Sequence, residues 1–154
     1  MCSSDLYNDN STNIRKIDPN SLSNQVIYSS PTYIEKIVLS LNGSKIAFIS
    51  GNNDNANLES IYTINLDGSD LIETTSHNGR MDELSWAANG SAILYYLRNY
   101  DTRKNELWTV NTNGSNKSKL DINFDYYDYP RWSTKNLKDD KTKDKDKHSP
   151  RIRW

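Results

Sequence analysis

One short tripeptide recurs along the chain and determines how it is organised. Four of the six glycines lie between an Asn or Asp and a Ser. The first and third copies are 47 residues apart, and the second and fourth are 46 apart. Asn-Gly and Asp-Gly are strong hairpin signals, because positive φ angles cost glycine little. Two different turns therefore alternate within one repeat. The copies are Asn42-Gly43-Ser44, Asp67-Gly68-Ser69, Asn89-Gly90-Ser91 and Asn113-Gly114-Ser115.

The segments between the turns repeat as well. Residues 61–65, Ile-Tyr-Thr-Ile-Asn, match residues 107–111, Leu-Trp-Thr-Val-Asn, at an offset of 46. Residues 46–49 correspond to 93–96, and both are continuous apolar runs, as expected of strands buried on both faces. Weaker candidate strands flank these runs, so each repeat holds four short strands. The weaker strands cover 37–40, 71–75, 84–86 and 118–120.

The repeat predicts the fold class. Helical periodicity is not evident, and the β-branched and aromatic residues cluster between turn signals. A period of about 40 to 50 residues with four strands is typical of a propeller blade. A sandwich of unrelated strands would not share one offset between turns and strands. We therefore predict an all-β chain, a partial β-propeller of four-stranded antiparallel blades with about 46 residues per blade.

Particular residues resemble a known family. Residues 40–50 look like the Ser-Pro-Asp-Gly-Lys-Lys-Ile-Ala-Phe-Val-Ser stretch of TolB-like (WD40-like) repeats. Residues 61–71 resemble the family's Ile-Tyr-Val-Met-Asn-Ala-Asp-Gly-Ser-Asn-Leu. The second repeat carries both stretches more loosely, and Trp132 recurs 46 residues after Trp86. The chain thus resembles the TolB-like β-propeller repeat family, as a fragment of two to three blades.

The repeats divide the chain into six stretches. Residues 138–147 hold five lysines and four aspartates and too few apolar residues for a strand, so we expect a solvated loop there. The expected boundaries are 1–6 for a sequencing or cloning artefact, 7–34 for the last strand of a preceding blade and its connection, 35–80 and 81–127 for two blades, 128–137 for the start of a further blade, and 138–154 for a charged low-complexity tail that ends in a candidate strand.

Composition limits the partners. Nineteen basic residues nearly cancel twenty acidic ones, so no net field favours nucleic acid or an anionic membrane. The apolar runs are too short to span a bilayer. Cys2 is the single cysteine, which excludes an internal disulfide and a thiolate zinc site. A lipidated Cys2 is the alternative to an artefact at residues 1–6, but no apolar segment precedes it.

Candidate catalytic and metal sites find little support. His77 and His148 have no spaced partners, and no Gly-x-Ser-x-Gly nucleophile motif occurs. Residues 52–57 place oxygen ligands at alternate positions but lack the glycine and terminal Glu of a calcium loop. We therefore expect no catalytic, cofactor or metal residues. The tyrosines of 126–129, just before Trp132, are a candidate partner surface, although packing at a crossover between blades is the preferred interpretation.

The resemblance implies two alternative functions. In the first, the chain is part of a non-enzymatic scaffold whose rim loops or channel bind another protein in the periplasm or cell envelope. Loops 51–60 and 98–106 would supply the contacts. In the second, it is the substrate-gating propeller of a prolyl-oligopeptidase-like serine peptidase whose catalytic domain follows residue 154. Since blades bury their faces only against neighbours, we also expect the isolated chain to associate rather than form a closed monomer.

Overall fold

The structure is a computed structural model that describes residues 5–9, 12–18, 20–121, 131–132 and 151–152. Every regular element in these ranges is a β-strand, which confirms the predicted all-β class. Most of the predicted charged tail, His148 and residues 126–129 lie outside them. The strands are β1 (Asp5–Asp9), β2 (Asn13–Ile17), β3 (Asn24–Ser29), β4 (Ile34–Leu39), β5 (Lys45–Gly51), β6 (Leu58–Asn65), β7 (Ile72–Trp86), β8 (Ala92–Asn99), β9 (Lys104–Asn111), β10 (Ser118–Leu120), β11 (Arg131–Trp132) and β12 (Arg151–Ile152).

The strands form three sheets. The largest has seven antiparallel strands in chain order, β4 to β10. The strand β7 belongs to two four-stranded units, because residues 72–78 pair with β6 and residues 79–86 pair with β8. The first unit is β4, β5, β6 and the first half of β7, and the second is the other half of β7 with β8, β9 and β10. The predicted blade boundary at residues 80 and 81 falls within this shared strand.

Two smaller sheets flank the large one. The strands β1, β2 and β3 are antiparallel in that order, and β11 pairs with β12 in parallel. Residues 24–29, which the sequence analysis assigned to a connection, form strand β3 against β2. The reason is tertiary: Ile27 and Tyr28 pack on the buried cluster around Phe48. The run Val26-Ile27-Tyr28 favours a strand by residue type, but its packing on Phe48, 20 residues after Tyr28, is not visible in the local sequence.

Alternation along β5 divides the core into two clusters. Ile46 and Phe48 pack toward β2 and β3, whereas Ala47 and Ile49 pack toward the second unit. All four side chains are fully buried. Continuous apolar runs are therefore explained by burial on both faces, as the sequence predicted. The first unit lies between the β1–β3 sheet and the second unit.

The connections fall at two opposite ends of the strands. The tripeptide turns form one end, where the Leu66 amide donates to the Ser44 carbonyl over 2.9 Å and the Thr112 amide to Ser91 over 3.0 Å. We call it the turn end. The other, called the loop end, holds residues 30–33, 52–57, 78–79 and 100–103. In the turns, the predicted positive φ angles are confirmed at all four glycines, at 70° to 88°.

Gly79 lies where β7 changes partners, and its missing side chain permits that junction. A Cβ there would lie 2.4 Å from the Arg98 carbonyl oxygen and 3.0 Å from a Leu97 methyl. We expect Gly79→Ala to lower the free energy of unfolding by about 2 kcal/mol, since overpacking against backbone cannot relax cheaply. Urea denaturation measures this. The matched control is Gly51→Ala, whose Cβ would have as its three nearest atoms the outer ring atoms of Tyr33, a side chain that can move, and an equal loss in both variants would contradict the prediction.

Candidate interaction surface at the loop end

Backbone hydrogen bonds join the loops of the two units at the loop end. The Gly79 amide donates to the Asn57 carbonyl over 2.7 Å, and the Tyr100 amide donates to Asn78 over 3.1 Å. The Asn78 side chain also donates to the Asp101 carboxylate over 2.6 Å. The β5–β6 loop, the middle of β7 and the β8–β9 loop therefore form one continuous surface.

Two exposed tyrosines and several charged groups lie on this surface or beside it. Tyr33 is 37% exposed and Tyr100 is 42% exposed. Arg80 lies 3.7 Å from Glu35 and 3.5 Å from Asp82. The Arg80–Glu35 pair connects β7 with β4, whereas the Arg80–Asp82 pair lies within β7, and the partial exposure of both pairs keeps their contribution to stability small.

A further ion pair joins the same strands through a special backbone conformation. The Lys36 ammonium lies 3.1 Å from the Glu83 carboxylate. Glu83 has a φ of 51° at an irregularity in the β7–β8 register, between Asp82 and Ser85. Such bulges redirect side chains. Here the bulge accompanies a charged contact between the first strands of the two units.

Glu59 is a buried acid between the two units. It is 5% exposed, and its carboxylate accepts a hydrogen bond from the Met81 amide. Burial raises the pKa of Glu59 to about 7, while the Met81 hydrogen bond opposes this and Glu35 adds to it. Arg80 is the cation that acts on it among the described residues, and Arg80 also pairs with Glu35 and Asp82.

His77 packs against two aromatic side chains, Tyr95 and Trp108. Its Nε2 shares a hydrogen bond of 2.8 Å with the Tyr95 hydroxyl, and its ring lies 5.2 Å from that of Trp108. Burial lowers the pKa of His77 to about 4, and the Lys117 charge lowers it further. The imidazole is therefore neutral near pH 7. A similar stack joins Tyr28 of β3 to Phe48 and Tyr62 of the first unit.

The β8–β9 hairpin borders an open groove of about 710 Å³. Glu106, on strand β9 of this hairpin, is buried, and burial tends to raise the pKa of its carboxyl group. Hydrogen bonds from Asn99, Trp108 and Thr102 outweigh that effect, so the pKa of Glu106 is lowered. The described residues that line the groove are Arg98, Asn99, Tyr100, Arg103 and Asn105.

Other residues from the sequence analysis have structural contacts here. The Asn52 side chain accepts bonds from the Asp54 and Asn55 amides, so the 52–57 segment is folded by its own side chains. Among the described residues, no group of three His, Cys, Asp or Glu side chains is arranged to hold a metal ion. Trp86 is buried and donates to the Val38 carbonyl over 3.2 Å, which links the two units.

Sequence reasoning named loops 51–60 and 98–106 as contact loops but singled out neither Glu59 nor the groove lined by Arg98 and Arg103. Glu59 lies two residues before Ile61, the start of the apolar run of β6, and a charge at that place is a signal that could have been followed. The groove offered a weaker signal, namely two arginines spaced within one hairpin. Their convergence depends on how the hairpin is paired, with Arg98 opposite Asn105.

Comparison with protein-family models and with curated proteins finds no match. Solved structures are similar in fold. An uncharacterised protein from Listeria monocytogenes has a TM-score of 0.63 at 14% identity over 80% of this chain and 38% of that one. A putative TolB from Agrobacterium tumefaciens gives 0.61 at 16% identity over 75% and 44%. The β-propeller domain of the Trilobed protease from Pyrococcus furiosus gives 0.55 at 14% identity over 70% and 34%.

These similarities concern the fold. The chain spans less than half the length of each of the structures named above. In the described ranges, no helix is long and apolar enough to cross a membrane. The repeated four-stranded units, the alternating turns and these neighbours agree with one another. The chain therefore has the TolB-like β-propeller fold and forms part of such a propeller.

Proposed function

We propose that this chain belongs to a non-enzymatic propeller scaffold that binds another protein through the loop end. The observation that carries the proposal is the surface around Tyr33, Tyr100 and the arginines of the β8–β9 hairpin. Tyrosine and arginine are enriched among residues that dominate binding energy at interfaces, and leucine is under-represented. Rigid paired strands hold this surface in place, as in other scaffolds that bind through loops.

The turn end is the rival surface. It exposes Leu41, at 63%, and Leu71, at 43%. Its polar groups are largely satisfied within the turns, where the Asn42 and Asp67 side chains accept bonds from the following Ser44 and Ser69. Isolated exposed leucines are common on protein surfaces and need no partner. The loop end is therefore the better candidate.

Photo-crosslinking tests whether the partner binds at the loop end or at the turn end. A photoreactive phenylalanine analogue replaces Tyr100 in one protein and Leu41 in a matched one, each expressed in the organism that encodes the chain. We expect one discrete adduct from position 100 and none from position 41. The protein in that adduct, once purified, should bind the native chain directly. Adducts from position 41 alone, or none from position 100, would contradict the proposal.

The resemblance to TolB-like repeats supports an extracytoplasmic location, in the periplasm or cell envelope, as part of the proposal.

A second candidate function is favoured by the similarity to the Trilobed protease propeller domain, and to the tricorn protease at a TM-score of 0.54. In this second candidate function, the chain is the propeller part of a peptidase. Sequencing the gene beyond codon 154 separates the two. A Gly-x-Ser-x-Gly motif with a later His favours the peptidase.

A further inference from the structure

Like charges lie opposite each other near the loop end of the second unit. Arg80 pairs with Arg98 in the β7–β8 register, and Arg98 pairs with Asn105 in the β8–β9 register. Side chains of directly paired residues lie on one face, and like charges in that arrangement repel. Arg80 is compensated by Glu35 and Asp82. For Arg98, no carboxylate lies within ion-pair distance among the described residues.

The acids of the same hairpin do not neutralise its arginines. Asp101 accepts a hydrogen bond from Asn78, which holds its carboxylate on β7. Glu106 is buried, and its oxygens accept bonds from Asn99, Thr102 and Trp108. It also lies 3.7 Å from the Lys119 ammonium, on the neighbouring strand. Arg98 and Arg103 therefore form no ion pair among the described residues, and their guanidinium groups are left to bind an anionic ligand in the groove.

Arg103 adds a second guanidinium in an unusual backbone conformation. Its φ is 55°, a value that non-glycine residues adopt infrequently. Residues held in such conformations cluster at binding sites. Arg98 and Arg103 line the groove together with Tyr100 and Asn105, in a volume of about 710 Å³. That space admits a chain segment rather than a single ion.

We propose that the β8–β9 groove binds an acidic peptide segment of the partner protein, with carboxylates paired to Arg98 and Arg103 and an adjoining side chain packed on Tyr100. Guanidinium groups present planar pairs of donors that match carboxylates in geometry and charge. This inference rests on the proposed scaffold function and names the partner chemistry at the loop end.

Fluorescence anisotropy with the full chain tests the groove. The probe is a short fluorescein-labelled peptide of alternating glutamate and glycine, and the control peptide carries glutamine instead. We expect saturable binding of the glutamate peptide that weakens as salt rises. The double variant Arg98→Gln/Arg103→Gln should lose roughly tenfold or more in affinity, as buried interface arginines often do. Arg15→Gln, which removes a remote cation on β2, should bind like the native chain.

Several results would overturn the inference. Equal binding of the glutamine peptide, or an unchanged affinity in the double variant, would exclude carboxylate recognition in this groove. Tighter binding of a short oligonucleotide than of the glutamate peptide would assign the groove to phosphates instead. Circular dichroism melts of both variants should match the native melt, so that a lost fold is not mistaken for a lost site.

The crosslink at position 100 separates this inference from the scaffold proposal. If the adduct forms equally well with Arg98→Gln/Arg103→Gln, the scaffold proposal stands and the acidic-segment inference fails. If the chain that carries the analogue at position 100 and keeps both arginines forms no adduct, the scaffold proposal itself fails. Loss of the adduct in the double variant alone, with Arg15→Gln unaffected, supports both.

Discussion

Gly68→Ala should destabilise the chain by about 3 kcal/mol. Its φ is 88°, and an alanine in the left-handed region costs about 1 kcal/mol. A Cβ at this position would also lie 2.7 Å from the Ile27 carbonyl oxygen of β3. That atom is backbone in a paired strand, so relieving the contact requires the β1–β3 sheet to move, at a further cost of about 1 to 3 kcal/mol.

Gly90→Ala is the matched control, because it isolates the backbone effect. Its φ is 70°, and a Cβ there would meet nothing within 4 Å. We expect a loss of only about 1 kcal/mol in the free energy of unfolding. Urea denaturation, followed by tryptophan fluorescence, compares the two variants. Similar losses in both would show that the Gly68 turn does not pack on β3.

Glu59→Gln should stabilise the chain at pH 8 by roughly 2 to 3 kcal/mol. The native carboxylate has a folded pKa of about 7 against an ordinary value of 4.5. At pH 8 it is ionised in both states, and burial penalises the ionised form in the fold. Glutamine carries no charge, and its side-chain oxygen can still accept the Met81 hydrogen bond.

The advantage of Glu59→Gln should disappear as pH falls. A raised folded pKa contributes stability that is fully present below the unfolded pKa and is lost as pH rises through the folded pKa. The native chain therefore recovers stability between pH 7 and 4.5, and the two proteins should be equally stable at pH 4.5 or below. A difference that stays constant with pH, or a variant less stable than the native chain at pH 8, would contradict the burial argument.

The pH dependence must be taken as the difference in stability between the native chain and Glu59→Gln, because titration of His77 changes the stability in the opposite direction. Its folded pKa is about 4 against an ordinary 6.5, so its contribution is present above pH 6.5 and is lost as pH falls toward 4. Across pH 4.5 to 6.5 the two groups partly cancel in the native curve. Both proteins retain His77, so subtracting their stabilities leaves the Glu59 contribution alone.

The repeat, the turns and the all-β class could be predicted from the amino-acid sequence alone. These features are local: an Asn-Gly or Asp-Gly between apolar runs favours a hairpin wherever it occurs, and Gly43, Gly68, Gly90 and Gly114 all have the expected positive φ angles. The apolar runs at 46–49 and 93–96 were likewise sufficient to predict strands buried on both faces.

The environments of the charged residues could be seen only in the folded chain. The pKa of Glu59 is raised because the carboxyl group is buried between the two units, and Arg98 forms no ion pair among the described residues because Asp101 and Glu106 bind other side chains. Burial and pairing of this kind join residues that are far apart in the chain, so they cannot be predicted from the residue types alone. The same reason explains why β3 was missed, since its core contact is Phe48 on another sheet.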